Sequence, residues 1–218
     1  TIMDALYTTL IIAFLSSLIA AVIGTAAAVS IHGMKRIPRS ILMGITNIPM
    51  LNADIVTGIS LMLAFLAFGI SLGFKTILIS HITFNIPYVI LSVMPKLNQT
   101  DKTTYEAALD LGASPVRAFF KVVFPDIFPG VLSGFLLAFT MSLDDFIITH
   151  FTRGAGINTL STLIYSEVRR GIKPSMYALS TIIFGAVLVL LLITNFAPKM
   201  KNKQQKAEGM APSSKRAA

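Results

Sequence analysis

The sequence predicts an all-α membrane protein, a polytopic bundle of five transmembrane helices. Hydrophobic residues make up 54% of its 218 residues and charged residues only 13%, whereas soluble domains are about a quarter charged. Five segments are apolar over about 20 residues, the length of helix that crosses a bilayer. Because a chain of this size cannot bury so much apolar surface in a soluble core, we expect the excess to face lipid.

The predicted spans are, in order, about 6–29, 51–68, 76–94, 127–143 and 176–196. The first begins near Asp4 rather than a basic region and is too long for a signal-peptide core, which favours a span. Before the second, Pro49 is expected to separate a short interfacial piece from the spanning helix. Pro87 is expected to kink or loosen the third.

The basic residues predict the orientation of these spans. The net charge is +8, and the Lys and Arg residues lie between apolar blocks and in the tail, which favours membrane orientation over nucleic-acid binding. Thirteen of them fall in loops 31–40 and 95–125 and in the tail, against five on the other side. We therefore expect a cytoplasmic C-terminus, a transmembrane domain over 1–197 and a disordered basic tail over 198–218 that can meet membrane lipid.

Cofactor chemistry has little support in the composition. The chain has no cysteine, which excludes disulfides and thiolate metal sites, and its three histidines are far apart in sequence. It also lacks the Gly-rich phosphate-binding loop of nucleotide-hydrolysing proteins. We expect no metal and no cofactor.

The loop between the third and fourth predicted spans carries strong local signals. Thr103 and Glu106 have the spacing of a capping box, which predicts the start of a helix. Gly112 can adopt the left-handed conformation that ends one. Ser114 and Pro115 then suit the N-cap and first residue of a second helix. An ordered helix–turn–helix in a cytoplasmic loop indicates a docking device.

This loop, about 101–125, resembles the EAA motif of ABC importer permeases. The motif reads E-A-A, three residues, G, nine residues, then I-x-L-P. The matching residues are Glu106, Ala107, Ala108, Gly112 and Pro125. Val122 stands for Ile and Phe124 for Leu, and both keep the apolar character.

The resemblance implies a role for the loop. In this family it forms a coupling helix that docks in a groove of a cytoplasmic ATPase subunit. Glu106 would make a polar contact there, and Gly112 would permit the tight turn. ATP would be hydrolysed by a separate pair of ATPase subunits, so that this chain is itself no enzyme.

Acidic residues in membrane spans are costly and often mark transport pathways. The candidates are Asp54 in the second predicted span and adjacent Asp144 and Asp145 at the outer end of the fourth. Two neighbouring carboxylates favour a nearby cation. His81 and Asn85 lie four residues apart on one face of the third span and could line the same path.

Each candidate also has a structural explanation that the sequence leaves open. Asp54 could hydrogen-bond a broken helix near Pro49. The adjacent aspartates could pair with Arg153 or cap a helix outside the membrane. The polar pair of the third span could join helices by hydrogen bonds.

Further segments resemble spermidine/putrescine permeases of the C type, which have a MetI-like fold of six spans. They are Ser142–Asp145, Ser80–Phe84 with Pro87, and Asp54–Val56 with Gly58–Leu61. Ala53 stands where proline is expected. The similarity runs to about residue 197, and the first span of the family is missing here, as a truncated chain would show.

The resemblance implies a polyamine importer of the bacterial inner membrane. Its partners would be the ATPase dimer, a second permease and an extracytoplasmic polyamine-binding protein. That protein would dock on the outer face, which includes loop 150–174 with Arg153, Arg169 and Arg170.

Other functions fit less of the sequence. The same machine could carry ferric ion, thiamine or a phosphonate. An intramembrane aspartyl protease needs Tyr-Asp and Gly-x-Gly-Asp, and neither surrounds Asp54 or Asp144. A proton-coupled secondary transporter would leave the E-A-A loop unexplained.

Overall fold

A computed structural model describes residues 2–170, 177–178, 180–182, 184–185 and 188. Within these residues the chain is helical and contains no strand. The helices are α1 Ile2–His32, α2 Arg36–Leu51, α3 Asp54–Ala67, α4 Phe74–Gln99, α5 Lys102–Asp110, α6 Pro115–Ala118, a π-helical turn Phe119–Val123, α7 Phe124–Asp144, α8 Ile147–Thr152 and α9 Leu160–Arg170. The chain divides into two units, residues Thr1–Tyr165 and residues Ser166–Ala218.

Three helices of the described part are long and apolar enough to cross a membrane, namely α1, α4 and a continuous helix over Pro115–Asp144. They correspond to the first, third and fourth predicted spans, and each extends beyond the predicted ends. α4 remains helical through Pro87. The fifth predicted span and the predicted tail lie outside the described residues, apart from helical positions between 177 and 188.

The second predicted span differs from expectation in where it breaks. α2 and α3 form a pair that could make one broken span, bent by 102°. Pro49 lies inside α2, and the break falls later, where Asn52 and Ala53 adopt extended backbone angles. The proline ring removes only one backbone hydrogen bond, so α2 continues for two residues beyond Pro49 and ends at Leu51. The chain therefore turns at Asn52 and Ala53, immediately before Asp54.

The core of the first unit is formed by α1, α4 and α7. A Cβ atom on Gly24 of α1 would lie 2.8 Å from the Cβ of Val89. On α7, a Cβ on Gly134 would lie 3.1 Å from the Cα of Val89, and one on Gly130 would lie 3.0 Å from the Ser92 carbonyl oxygen. Small residues of this kind let transmembrane helices approach closely. The glycines of α1 and α7 thus allow α4 to pack closely between these two helices.

Replacing Gly24 with alanine should destabilise the protein, although alanine favours helix. The new methyl group would overlap Val89, and overpacking of this kind costs about 1–3 kcal/mol. Gly44→Ala in α2 is the matched control, because no atom lies within 4 Å of its Cβ position. Thermal unfolding in detergent should show a lower Tm for Gly24→Ala and no loss for Gly44→Ala. Equal values for the two variants would contradict the close packing.

Candidate functional site

The turn after α5 has the geometry that the sequence predicts. Gly112 has φ +84°, in the left-handed region that favours glycine. Its N–H donates to the Leu109 carbonyl at 2.9 Å, and the Ala113 N–H donates to the Ala108 carbonyl at 3.1 Å. This pair of bonds is a Schellman motif, which satisfies the last carbonyls of the helix. The left-handed turn at Gly112 therefore gives a local reason for α5 to end at Asp110.

The start of α5 differs from the prediction of a capping box at Thr103 and Glu106. The N-cap is Asp101, whose carboxylate accepts a hydrogen bond from the Thr103 N–H at 2.9 Å. Hydrogen bonding to Thr103, first through its side chain and then through its N–H, lowers the pKa of Asp101 below its usual value. The cap is thus present above the ordinary carboxyl range and lost as the pH falls through the lowered pKa. Aspartate caps at least as well as threonine, and it lies nearer the helix start.

The second helix of the loop begins as predicted and then continues into the membrane. The Ser114 hydroxyl accepts from the Arg117 N–H at 3.4 Å, and Pro115 occupies the first turn of α6. The π-helical turn follows and leads into α7 without interruption. Pro125 lies just after that turn and has no N–H to donate to Lys121. The wider π turn accommodates the lost bond, so the loop connects to the α7 span by continuous helix.

The surface of this loop is exposed and mixed in character. Glu106 and Ala107 are exposed on α5. Leu111 is 89% exposed beside Gly112, and Val116 is exposed on α6. Large exposed apolar side chains beside a carboxylate are typical of a protein-docking surface. Residues 101–125 are called the coupling loop below.

A buried polar network lies at the other end of the bundle. The His81 Nδ1 is 2.5 Å from the Ser142 Oγ, and its Nε2 is 2.9 Å from the Thr149 Oγ1. The Ser142 Oγ is also 3.2 Å from the Ser16 Oγ. His81 of α4 is therefore joined to α7 and α8, and through Ser142 to α1. The network supports the interhelical alternative that the sequence left open for His81.

Asp145 belongs to the same network. Its Oδ2 accepts from the Thr149 N–H at 2.8 Å and from the Thr149 hydroxyl at 2.9 Å, while its Oδ1 accepts from the Ile148 N–H at 3.3 Å. The His81 Nε2 lies 3.5 Å from its Oδ2. This carboxylate thus caps α8, which was one of the alternatives. Arg153 instead donates to Asn158 and to the Ile157 carbonyl.

The remaining candidates fall in different environments. Asp144 is the last residue of α7 and is exposed. Asp54 is exposed at the first residue of α3, where a negative charge suits the helix dipole. α3 packs on α8, since a Cβ on Gly58 would lie 3.1 Å from the Phe151 ring. Asn85 is fully buried, and neither of its amide atoms has a hydrogen-bond partner within the described residues.

The sequence did not single out Ser16 or Thr149 as partners of His81. Ser16 does fall on a run of small residues along α1, which is the pattern of a tightly packed helix face. No local signal connects Thr149 to His81, because 68 residues separate them.

Replacing His81 with alanine should destabilise the bundle. The change removes two interhelical hydrogen bonds and leaves Ser142 and Thr149 with fewer partners in a buried site, a loss of about 1–3 kcal/mol. Ser80→Ala is the control, since the buried Ser80 hydroxyl donates only to the Thr76 carbonyl of its own helix. Thermal unfolding in detergent should separate the two variants. A Tm for His81→Ala equal to that of Ser80→Ala would rule out a joining role for His81.

Comparison with known proteins gives a consistent result. Residues 20–202 match the family described as "Binding-protein-dependent transport system inner membrane component". The chain is 35% identical over 202 residues to the spermidine/putrescine transport system permease protein PotC of Haemophilus influenzae, covering 93% of this chain and 79% of that protein. It is 38% identical over 211 residues to the putrescine transport system permease protein PotI of Escherichia coli, covering 93% and 75%.

Solved structures agree at the level of the fold. A chain of the MetNI methionine ABC transporter, in inward-facing conformations, superposes with a TM-score of 0.65 at 19% identity, covering 93% of each chain. A chain of an amino acid ABC transporter superposes with a TM-score of 0.60 at 17% identity. At such identities the likeness establishes the fold alone, and that fold is the MetI-like one expected from the sequence.

Proposed function

Because this chain belongs to the family of binding-protein-dependent transport system inner membrane components, we propose that it is a permease subunit that imports polyamines. The observation that carries the proposal is the identity of 35% and 38%, over 93% of the chain, to a spermidine/putrescine and a putrescine permease. The family is a transporter family of the inner membrane, and the apolar helices of the described part agree with a multi-pass protein.

The acidic residues suit a polycationic solute. Polyamines carry several ammonium groups, which exposed carboxylates attract, and Asp54 and Asp144 are both exposed. Asp145 and His81, next to Asp144, join α4 to α8 through the buried network. Buried Asn85 lies one helical turn from His81 on α4. The substrate path of the proposal therefore runs past Asp54 and Asp144, with Asp145 and His81 as its support and Asn85 as a buried polar group near them.

The coupling loop would transmit the work of ATP hydrolysis. Glu106 and the apolar residues around Gly112 are exposed for docking on a cytoplasmic ATPase subunit. The second helix of the loop continues into α7, whose last residue is Asp144. A movement of the loop would thus be passed along one continuous helix to the substrate path. This arrangement supports alternating access driven by a pair of ATPase subunits.

The proposal also includes an orientation in the membrane and a set of partner proteins. The coupling loop and the C-terminus face the cytoplasm, and α8 and the Asp144 end of α7 face outward. A polyamine-binding protein delivers the solute to that outer face, and a second permease completes the path. Residues 1–197 form the transmembrane domain, followed by a basic tail over 198–218. Among other cargoes, an anionic phosphonate would be repelled by Asp54 and Asp144.

Uptake by the assembled transporter tests this function. The chain, its ATPase, its second permease and its binding protein are reconstituted in liposomes, and labelled spermidine and putrescine are supplied outside. We expect accumulation that requires both ATP and the binding protein, and that unlabelled polyamine competes away. Accumulation of thiamine or ferric ion that polyamines do not inhibit would show a different cargo.

A further inference from the structure

A cavity of about 410 Å³ lies at the turn between α1 and α2. It is lined by Met34, Arg36, Arg39, Ser40 and Met43. Two guanidinium groups and a hydroxyl therefore share one pocket whose other walls are methionine side chains, and no acidic side chain lines it. We refer to it as the α1–α2 basic pocket.

The positive charge of this pocket is not neutralised by its neighbours. The Arg39 Nη2 donates to the Asn98 Oδ1 at 2.7 Å and lies 3.7 Å from the Met94 Sδ, and both partners are uncharged. Arg36 makes no hydrogen bond or ion pair in the part of the chain that the structure describes. Its position at the first residue of α2 adds the positive end of a helix dipole. Asn98 therefore orients one guanidinium while both keep their full charge for a ligand.

The far side of α2 indicates where that ligand comes from. Ile37, Ile41, Ile45 and Ile48 recur at helical spacing and are all more than half exposed. No residue of α2 is buried, and Met43 on the opposite side packs against the core of the first unit. A helix with basic residues beside an exposed apolar stripe lies at a membrane surface, with the stripe among acyl chains.

We infer that the α1–α2 basic pocket binds the phosphodiester headgroup of an anionic phospholipid. Arginine matches a phosphate geometrically and can donate two parallel hydrogen bonds to it. Ser40 supplies a further donor, and Met34 and Met43 provide apolar contact for the glycerol carbons. The acyl chains enter the same membrane layer as the isoleucine stripe, which lies on the other side of α2. This site does not depend on which solute the transporter carries.

Lipid retention by the assembled transporter tests the site. The complex is purified from detergent and equilibrated with mixed micelles of phosphatidylglycerol and phosphatidylethanolamine, and bound lipid is counted by native mass spectrometry. Arg36→Gln should weaken phosphatidylglycerol binding about fivefold, and Arg36→Gln/Arg39→Gln about 25-fold, from about 1 kcal/mol per basic residue. Binding of the zwitterionic lipid should stay constant.

Matched controls separate this site from general charge effects. Lys75→Gln removes one positive charge at the opposite end of α4 and should leave lipid retention unchanged. Asn98→Ala removes the anchor of Arg39 without changing charge and should weaken binding less than Arg36→Gln/Arg39→Gln. If all variants retain as much phosphatidylglycerol as wild type, or if Lys75→Gln loses as much as Arg36→Gln, the assignment is overturned.

Soluble phosphate distinguishes a lipid site from an anion site. Inorganic phosphate or glycerol phosphate at millimolar concentration should not displace the bound phosphatidylglycerol, because neither carries acyl chains that anchor it in the apolar layer of the micelle. Displacement by either would show that the pocket takes a free cytoplasmic anion. The single variant Arg36→Gln suffices if the double variant assembles poorly, since Arg36 is exposed and makes no hydrogen bond or ion pair with the described residues.

Discussion

Replacing Gly112 with valine is expected to lower polyamine uptake about 5–30-fold while the protein still inserts in the membrane. Gly112 has φ +84°, and a side chain with a branched Cβ is strained there by about 1–2 kcal/mol or more. No atom lies within 4 Å of its Cβ position, so the penalty is one of backbone conformation and not of crowding. Relief of the strain would change the angle between α5 and α6, and with it the docking surface around Leu111.

A penalty of about 1–2 kcal/mol reduces the correctly shaped population about 5–30-fold, and uptake should fall accordingly. Gly112→Asn is the matched control, because asparagine tolerates the left-handed region better than other residues with a side chain. It should retain most uptake. ATP-driven uptake and substrate-stimulated ATPase activity are measured together in proteoliposomes. Equal activities for the valine and asparagine variants would exclude a role for this turn in coupling.

Asp144→Asn should lower the maximal rate of polyamine uptake about tenfold without changing the Tm. Asp144 is exposed at the end of α7, so its charge can meet the solute while the fold does not depend on it. The apparent KM should stay close to wild type, because capture from solution is performed by the binding protein before the solute reaches this chain. Initial rates over a range of spermidine concentrations separate the two parameters.

Asp145→Asn is the neighbouring comparison and should behave differently. The asparagine amide has one acceptor oxygen in place of two, so one side of the α8 cap is lost together with the negative charge beside His81, about 1–3 kcal/mol. This variant should have a lower Tm, and it should lose uptake in proportion to the protein that remains folded. If fully folded Asp144→Asn protein showed unchanged uptake, the Asp144 carboxylate would have no role in the substrate path.

The features that the sequence predicts correctly are local ones. Spans over α1, α4 and α7 follow from long apolar runs. The turn at Gly112 follows because only glycine takes that backbone conformation without strain. The N-cap of α5 was assigned wrongly because Asp101 and Thr103 both have capping side chains, and the choice between them depends on where the helix begins. Propensity alone does not decide that within two residues.

The candidate site depends on contacts between distant segments. In sequence, Asp144 and Asp145 are equivalent neighbours. They differ in the structure because α7 ends at Asp144, which turns Asp145 toward α8 and His81. His81 and Ser142 are separated by 61 residues, and no periodicity or spacing connects them. Tertiary packing therefore decides which acid supports the fold and which stays exposed.

The position of the coupling loop is tested most directly by a single cysteine at Leu111. The chain has no cysteine of its own, and Leu111 is 89% exposed beside Gly112. A membrane-impermeant maleimide is applied to intact cells and to inside-out vesicles that carry Leu111→Cys, with and without the ATPase subunit. We expect labelling only from the cytoplasmic side, and protection of the cysteine by the ATPase. Labelling from the outside, or labelling that the ATPase does not alter, would contradict this expectation.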